Sequence, residues 1–503
     1  MTTTDEVYDG IVTMEAGPRC CEGYGATVIA NTARVAAACL PLAFALGQGS
    51  GDELHMGNGI KIGDARADRC AVWVRLTAIA RADQTGVSFP TRKAHTPQLP
   101  TATNLSQMAG AVPGAGGDVR VRYWPDGAPS EERSTAWTPV NAATNHAHTF
   151  TLSGLNAGAR YVILAEGKPS GSDRSSCSVE GQVQLPYRPS DPAAVSFCVI
   201  CGQDYHRRDD DDRGHLIYGV MQNSAPDFVA NVGDAVYYDK PKPWADTAEL
   251  ARFKWNRFYG LPLQRDFHAK VGAYFVKDDH DTLKNDCWPG QRYGELTWAR
   301  GLELYREQLP LLAGEPYRRV RWGALLEVWF LEGREFRSPN RAADGPTKTI
   351  LGATQWRWLE QTLAASDATF KVVVSATPIV GPDRKNKNDN HANRGFQHEG
   401  DRLRRLLAEQ GVYVVCGDRH WQYASHDPVT GLREWCCGPT TNQHSGGFSM
   451  KQRSEQHDFL RIRGGFLHVS VEPAGGSPSL TIRHVGTDGE TYHEDTLRPR
   501  APR

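Results

Sequence analysis

Tyr274-Phe-Val-Lys-Asp-Asp-His-Asp281 runs from an apolar stretch straight into three carboxylates and a histidine. The same transition occurs three more times. Ser196-Phe-Cys-Val-Ile200 leads into Cys201-Gly-Gln-Asp-Tyr-His206, and Phe228-Val-Ala-Asn-Val232 into Gly233-Asp-Ala-Val-Tyr-Tyr238. Val412-Tyr-Val-Val-Cys416 leads into Gly417-Asp-Arg-His-Trp421. The apolar runs are short and do not alternate, as expected of strands covered on both faces. Open α/β sheets gather their ligand sites at such strand ends. Helical patterns separate the strands, at Ala248–Phe258, Gln355–Leu363 and Arg402–Glu409, and the spacing predicts a doubly covered α/β sandwich over 191–503.

Upstream the texture changes. Residues 51–190 carry short alternating β-branched and aromatic runs between turn residues, such as Cys70–Leu76, Val119–Trp124, His148–Leu152 and Tyr161–Ala165. They predict an N-terminal β-sandwich of fibronectin type, with Ala82–Gly116 as an insertion loop. Pro186-Tyr-Arg-Pro-Ser-Asp-Pro192 reads as a linker. Residues 1–50 read as a leader: Val35–Ala45 has the length of a signal-peptide core and ends in Ala-Phe-Ala. Against this, the preceding segment is long and acidic, and a short buried helix is the alternative. The leader reading places the protein in the periplasm or outside the cell; the helix reading leaves it in the cytoplasm.

Lys+Arg 57 against Asp+Glu 58 leaves a net charge of −1 over 503 residues, so no global charge favours nucleic acid or an anionic membrane. No run reaches the ~20 apolar residues of a membrane span. Eleven cysteines are too few, and odd in number, for a disulfide framework. There is no Gly-x-Ser-x-Gly elbow and no P-loop. Cys436-Cys437 reads as two thiols, with a vicinal disulfide as the alternative.

Hard cations need carboxylate oxygens, and imidazole suits transition metals. Four strand ends that each deliver an acid plus His or Tyr can furnish a two-metal site, whereas one such cluster alone reads as a helix cap or an ion pair. In this order the motifs resemble the calcineurin-like metallophosphoesterases, and among them the PhoD-type alkaline phosphatases. The most specific marks are Asp278-Asp-His-Asp281, Glu332-Gly-Arg-Glu-Phe-Arg337, Leu351–Leu359 and Gly417-Asp-Arg-His420.

The resemblance implies a two-sheet metallophosphoesterase sandwich that hydrolyses phosphate mono- or diesters with a hydroxide generated on a metal. It implies Fe3+ with Ca2+, and Zn2+ or Mn2+ would also suit the donors. By motif, Asp234 would bridge the metals, with Asp279, Asp418 and His420 as further ligands and His280 as general acid. Tyr237 stands where purple phosphatases place a phenolate on iron, with Tyr238 as its alternative. Asp204 and His206 resemble the opening Asp-x-His, with Cys201 competing for that position. Arg334 and Arg337 would grip phosphate oxygens, or pair structurally with Glu332 and Glu335. The superfamily histidine after the fifth strand is absent, since Ser375-Ala-Thr-Pro378 stands there. Asn386–His391 is the replacement donor this implies, against its reading as a solvated loop. The opposing reading of the whole chain is a noncatalytic surface-binding protein with a structural metal.

Overall fold

The computed structural model describes residues 53–473 and 477–499; the leader segment lies outside them. The described residues belong to one compact unit.

Two mixed sheets face each other. The first has nine strands, and at its centre Val195–Ile200, Phe228–Val232 and Gly272–Val276 run parallel. The second has seven, and its centre is the parallel set Leu326–Phe330, Phe370–Ser375, Val412–Cys416 and Arg433–Cys437. Both faces of these strands are covered. All five residues of Phe228–Val232 and of Val412–Cys416 are buried, which is why neither sequence alternates. Aromatic pairs join the sheets: Phe228 stacks on Trp322 with centroids 4.8 Å apart, and Tyr274 on Phe330 at 4.8 Å. Helices Ala248–Phe258, Pro262–Lys270 and Trp298–Gln308 share an outer core with the first sheet. Gly352–Ala364 and Gln397–Glu409 do the same for the second. Among the described residues no helix is long and apolar enough to cross a membrane.

The N-terminal region is β-rich, but it is not a separate body. Ile60–Gly63, Arg69–Arg75 and Ala147–Ser153 extend the nine-stranded sheet, with Gly63 pairing in parallel with Ala273. A further sheet, built around Gly117–Pro125, Arg160–Lys168 and Cys177–Gln184, covers them, and its Val121 and Ile163 join the core that holds Phe197 and Phe228. The sandwich predicted over 51–190 therefore shares one sheet with the 191–503 region. The physical reason is the free edge of Gly272–Val276, whose unpaired N–H and C=O groups need a partner. Residues 82–116 form an irregular excursion, as expected, and it packs on helix Ala248–Phe258 through Phe89 and Phe253, centroids 5.1 Å apart.

Candidate metal centre

Two of the strand ends turn in the same way. Gly233 and Asp234 have φ +94° and +55°, and Asp418, after Gly417, has φ +61°. Asp tolerates this left-handed conformation better than most residues. Gly233 also allows close approach: a Cβ there would lie 2.4 Å from the Asp278 Cβ. The second and third strand ends are thereby pressed together.

The result is a cage of acids in two overlapping groups. Asp234, Asp279 and His280 bring ligand atoms within 4.8 Å of one another, and so do Asp234, Asp278 and Asp418. Asp234 belongs to both. Its Oδ2 accepts a hydrogen bond from the Tyr237 hydroxyl at 3.1 Å, while its Oδ1 is buried without a hydrogen-bond partner. Asp278 Oδ2 and Asp418 Oδ2 are likewise buried without one; the latter lies 2.5 Å from Arg419 Nη2 at an angle that makes no hydrogen bond.

Electrostatics shows what this cage lacks. Burial, aggravated by the neighbouring acids, pushes Asp234 and Asp278 well above the carboxylate range. It carries Asp418 to about 6 and Asp281 to about 7. Orphaned carboxylate oxygens crowded in a low dielectric are stable as anions only around cations, so the residues present fit a metal centre. Asp279 differs. Burial opposes its charge, but Arg334, His280 and the Asp286 amide outweigh it and hold the carboxyl at about 2.

His280 lies against the cage with Nδ1 2.5 Å from Asp239 Oδ1. Burial works against its charge, but Asp279, Asp234 and Asp239 raise the imidazole well above its ordinary value. His420 and His444 pack together with centroids 4.0 Å apart, and His444 meets the Tyr237 ring edge-on at 5.4 Å. His444 Nδ1 meets the Gly202 carbonyl at 3.0 Å. Burial lowers His444 to about 4 and His420 well below the usual range, so both are neutral imidazoles.

The structure thus brings together Asp234, Asp279, Asp418, His280 and Tyr237, with His420 beside them but outside both acidic groups. Tyr238 points into the helix layer, where its oxygen accepts from Trp255 Nε1 at 2.7 Å. Asp204 caps the short 205–207 helix and lies 3.5 Å from Arg207. The ring of His206 turns to the Lys242 carbonyl at 3.0 Å. Neither joins a metal group. Cys201 Sγ lies 3.4 Å from the Gly438 carbonyl and 3.5 Å from Cys437 Sγ, and the eight described cysteines are free thiols.

The arginines require a correction. Arg334 and Arg337 are 0% and 3% exposed, so neither presents a fork to a substrate. Arg334 Nε donates to Asp278 Oδ1 at 2.5 Å, not to Glu332, whose carboxylate is paired with Lys277 at 2.6 Å. Arg337 Nη2 donates to the Asp389 carbonyl at 2.5 Å. The reason is charge balance: a buried acid cluster of this density needs internal cations.

Asp278, Asp239, His444 and Arg419 were not singled out by the sequence. Asp278 and Arg419 sit inside quoted motifs, Asp239 directly follows one, and all three were reachable by considering both faces of each loop. His444 carries no local signal.

Two parallel-centred sheets flanked by helices, with an acid and imidazole cage at their strand ends, define the architecture of a metallophosphoesterase. The profile of the PhoD-like phosphatase family matches residues 197–463, and the chain belongs to that family. Among curated proteins it is similar to alkaline phosphatase D of Bacillus subtilis (strain 168), 23% identical over 265 residues. That match spans 42% of this chain and 44% of the relative, less than half the length of either. Among solved structures, that of PhoD is similar with a TM-score of 0.67 at 17% identity, covering 90% of each chain. Purple acid phosphatase PPD1 from yellow lupin (Lupinus luteus) seeds is similar with a TM-score of 0.59 at 11% identity, covering 89% of this chain and 74% of that one. At these identities the two structures speak for the fold.

Proposed function

We propose that the chain is a metal-dependent phosphoric ester hydrolase. The observation that carries this is the convergence of the buried carboxylates of Asp234, Asp278 and Asp418, of which Asp234 Oδ1 and Asp278 Oδ2 have neither a hydrogen-bond nor an ion-pair partner, beside a second group that shares Asp234. Cations held there would supply Lewis acidity toward the phosphoryl oxygens and lower the pKa of a coordinated water.

The chain's own residues supply the rest. Asp234 belongs to both groups and holds them in one place. Asp279, kept ionised by Arg334 and His280, is a permanent anion at one end of the cage. His280, held by Asp239 and raised in pKa, carries a proton suited to the departing ester oxygen. Tyr237 packs on His280 with centroids 4.4 Å apart and limits that ring's rotation. Neutral His420 and His444 offer nitrogen lone pairs nearby.

Ferric iron with calcium is part of this proposal, and a visible absorption band lost in Tyr237→Phe would support iron. A colourless, active protein replete with zinc or manganese would replace that pair. Export through the Val35–Ala45 segment rests on the sequence alone. The test of the activity is turnover of p-nitrophenyl phosphate and of bis-p-nitrophenyl phosphate. Metal-replete wild type should hydrolyse at least one of them and Asp234→Ala neither. A metal-loaded protein inert toward both, and toward phospholipids, would leave the noncatalytic binding reading in its place.

A further inference from the structure

The Asn386–His391 segment does not enter the cage. Instead, Asp389 and the nearby Asp383 turn to Arg419, the residue between Asp418 and His420. Arg419 is 1% exposed. Its Nη2 lies 3.1 Å from Asp383 Oδ2, 3.3 Å from Asp389 Oδ2 and 2.5 Å from Asp418 Oδ2. Asp389 is itself fixed from several sides: Asn393 Nδ2 donates to its Oδ1 at 3.2 Å, Lys387 lies 3.6 Å from its Oδ2, and Arg337 holds its carbonyl. Lys387 continues the chain of ion pairs to Asp286 at 3.1 Å, and the Asp286 amide donates to Asp279 Oδ2 at 2.5 Å. One loop is thereby connected to both ends of the carboxylate cage.

An arginine beside a ligating carboxylate has two opposed effects. It orients the carboxylate, and its charge repels the cation that carboxylate is meant to hold. Asp383 and Asp389 cancel that charge locally, leaving the orientation without the repulsion. Resting on the two-cation reading above, we propose that Arg419 and Asp389 are positioning residues for the Asp418 end of the cage. The guanidinium, neutralised by the 383–389 loop, sets the Asp418 carboxylate so that the Asp234–Asp278–Asp418 group takes a cation with its own affinity, separable from that of a cation at the Asp234–Asp279 end of the cage.

The experiment is titration of metal-stripped full-length protein with Mn2+, with free Mn2+ followed by electron paramagnetic resonance. Wild type should bind two equivalents. Arg419→Met and the isosteric Asp389→Asn should each weaken one equivalent by about 10–100-fold and spare the other, the usual effect of removing an outer partner of a ligand. Arg419→Lys, which keeps the charge without the fork, should fall between Arg419→Met and wild type. If Arg419→Met does not fold, Asp389→Asn and Arg419→Lys decide the matter alone. Two unchanged equivalents in the variants, or both weakened together in step with a lowered melting temperature, would overturn the positioning role while leaving the two-cation site intact. A wild-type protein that takes up no Mn2+ would overturn the site and this role together.

Discussion

His280 Nδ1 and Asp239 Oδ1 stand 2.5 Å apart, although 41 residues separate them in the chain. Asp239 is further held by the Asn285 amide, which donates to its Oδ2 at 2.7 Å. The carboxylate is therefore fixed from two sides, and the imidazole takes its orientation from it. The ring's other nitrogen is left for the cage or the substrate.

Replacing His280 by Ala should lower turnover of the preferred ester by about 10²–10⁴-fold, the range for loss of a general acid. Metal content by elemental analysis should stay near wild type. Asp239→Asn removes an anion that raises the imidazole pKa, so the alkaline limb of the pH–rate profile should move to lower pH. Loss of metal and activity in parallel would make His280 a ligand only.

Arg334 is bonded to Asp278 in the interior, so its removal is a stability event. Arg334→Met leaves a buried carboxylate uncompensated and should cost about 3–5 kcal/mol, read from urea denaturation. An arginine that gripped substrate would instead raise KM and leave the unfolding midpoint where it was.

Gly233→Ala should be far more damaging than a surface Gly→Ala change. Its φ of +94° is unfavourable for alanine, and the added methyl would meet Asp278 at 2.4 Å. About 1–3 kcal/mol of backbone strain is expected, with displacement of Asp234 from Asp278. Loss of Mn2+ uptake together with lowered thermal stability is the expected reading, and a variant with wild-type uptake would remove this account of the turn.

Acid should destabilise the fold well above the carboxylate range. Burial depresses His215, His268 and His484 to about 3. Between that value and the unfolded ~6.5 the unfolded chain binds more protons, so stability is fully present above ~6.5 and is lost as pH falls toward 3. Each histidine contributes a slope of about 1.4 kcal/mol per pH unit. His268 has neither ring nitrogen hydrogen-bonded, so His268→Leu should fold and flatten the dependence by about one histidine's share between pH 6 and 4, measured by urea titration. An unchanged slope would mean that His268 does not titrate on unfolding.

Strand identity was legible because strands covered on both faces must be continuously apolar, and Val412–Cys416 or Phe228–Val232 can be little else. The acids Asp234, Asp279 and Asp418 were legible because they leave those strands at once, where the chain has no freedom to carry them elsewhere. Asp204 and His206 lie past the strand end, where a short helix redirects them. Arg334 and Arg337 misled for a different reason: a motif records that an arginine is near the acids, but not whether it faces them or the solvent.

Local order along the chain determined the layered α/β fold, the β-rich N-terminal region and the strand ends at which chemistry would gather, because periodicity and turn residues act over a few positions. Tertiary structure alone decided that the N-terminal strands complete the large sheet, that His280 is paired with Asp239, and that the 383–389 loop neutralises Arg419. Those choices depend on which buried charges meet across the interior, and the energy of such meetings is set by distance in space rather than by separation along the chain.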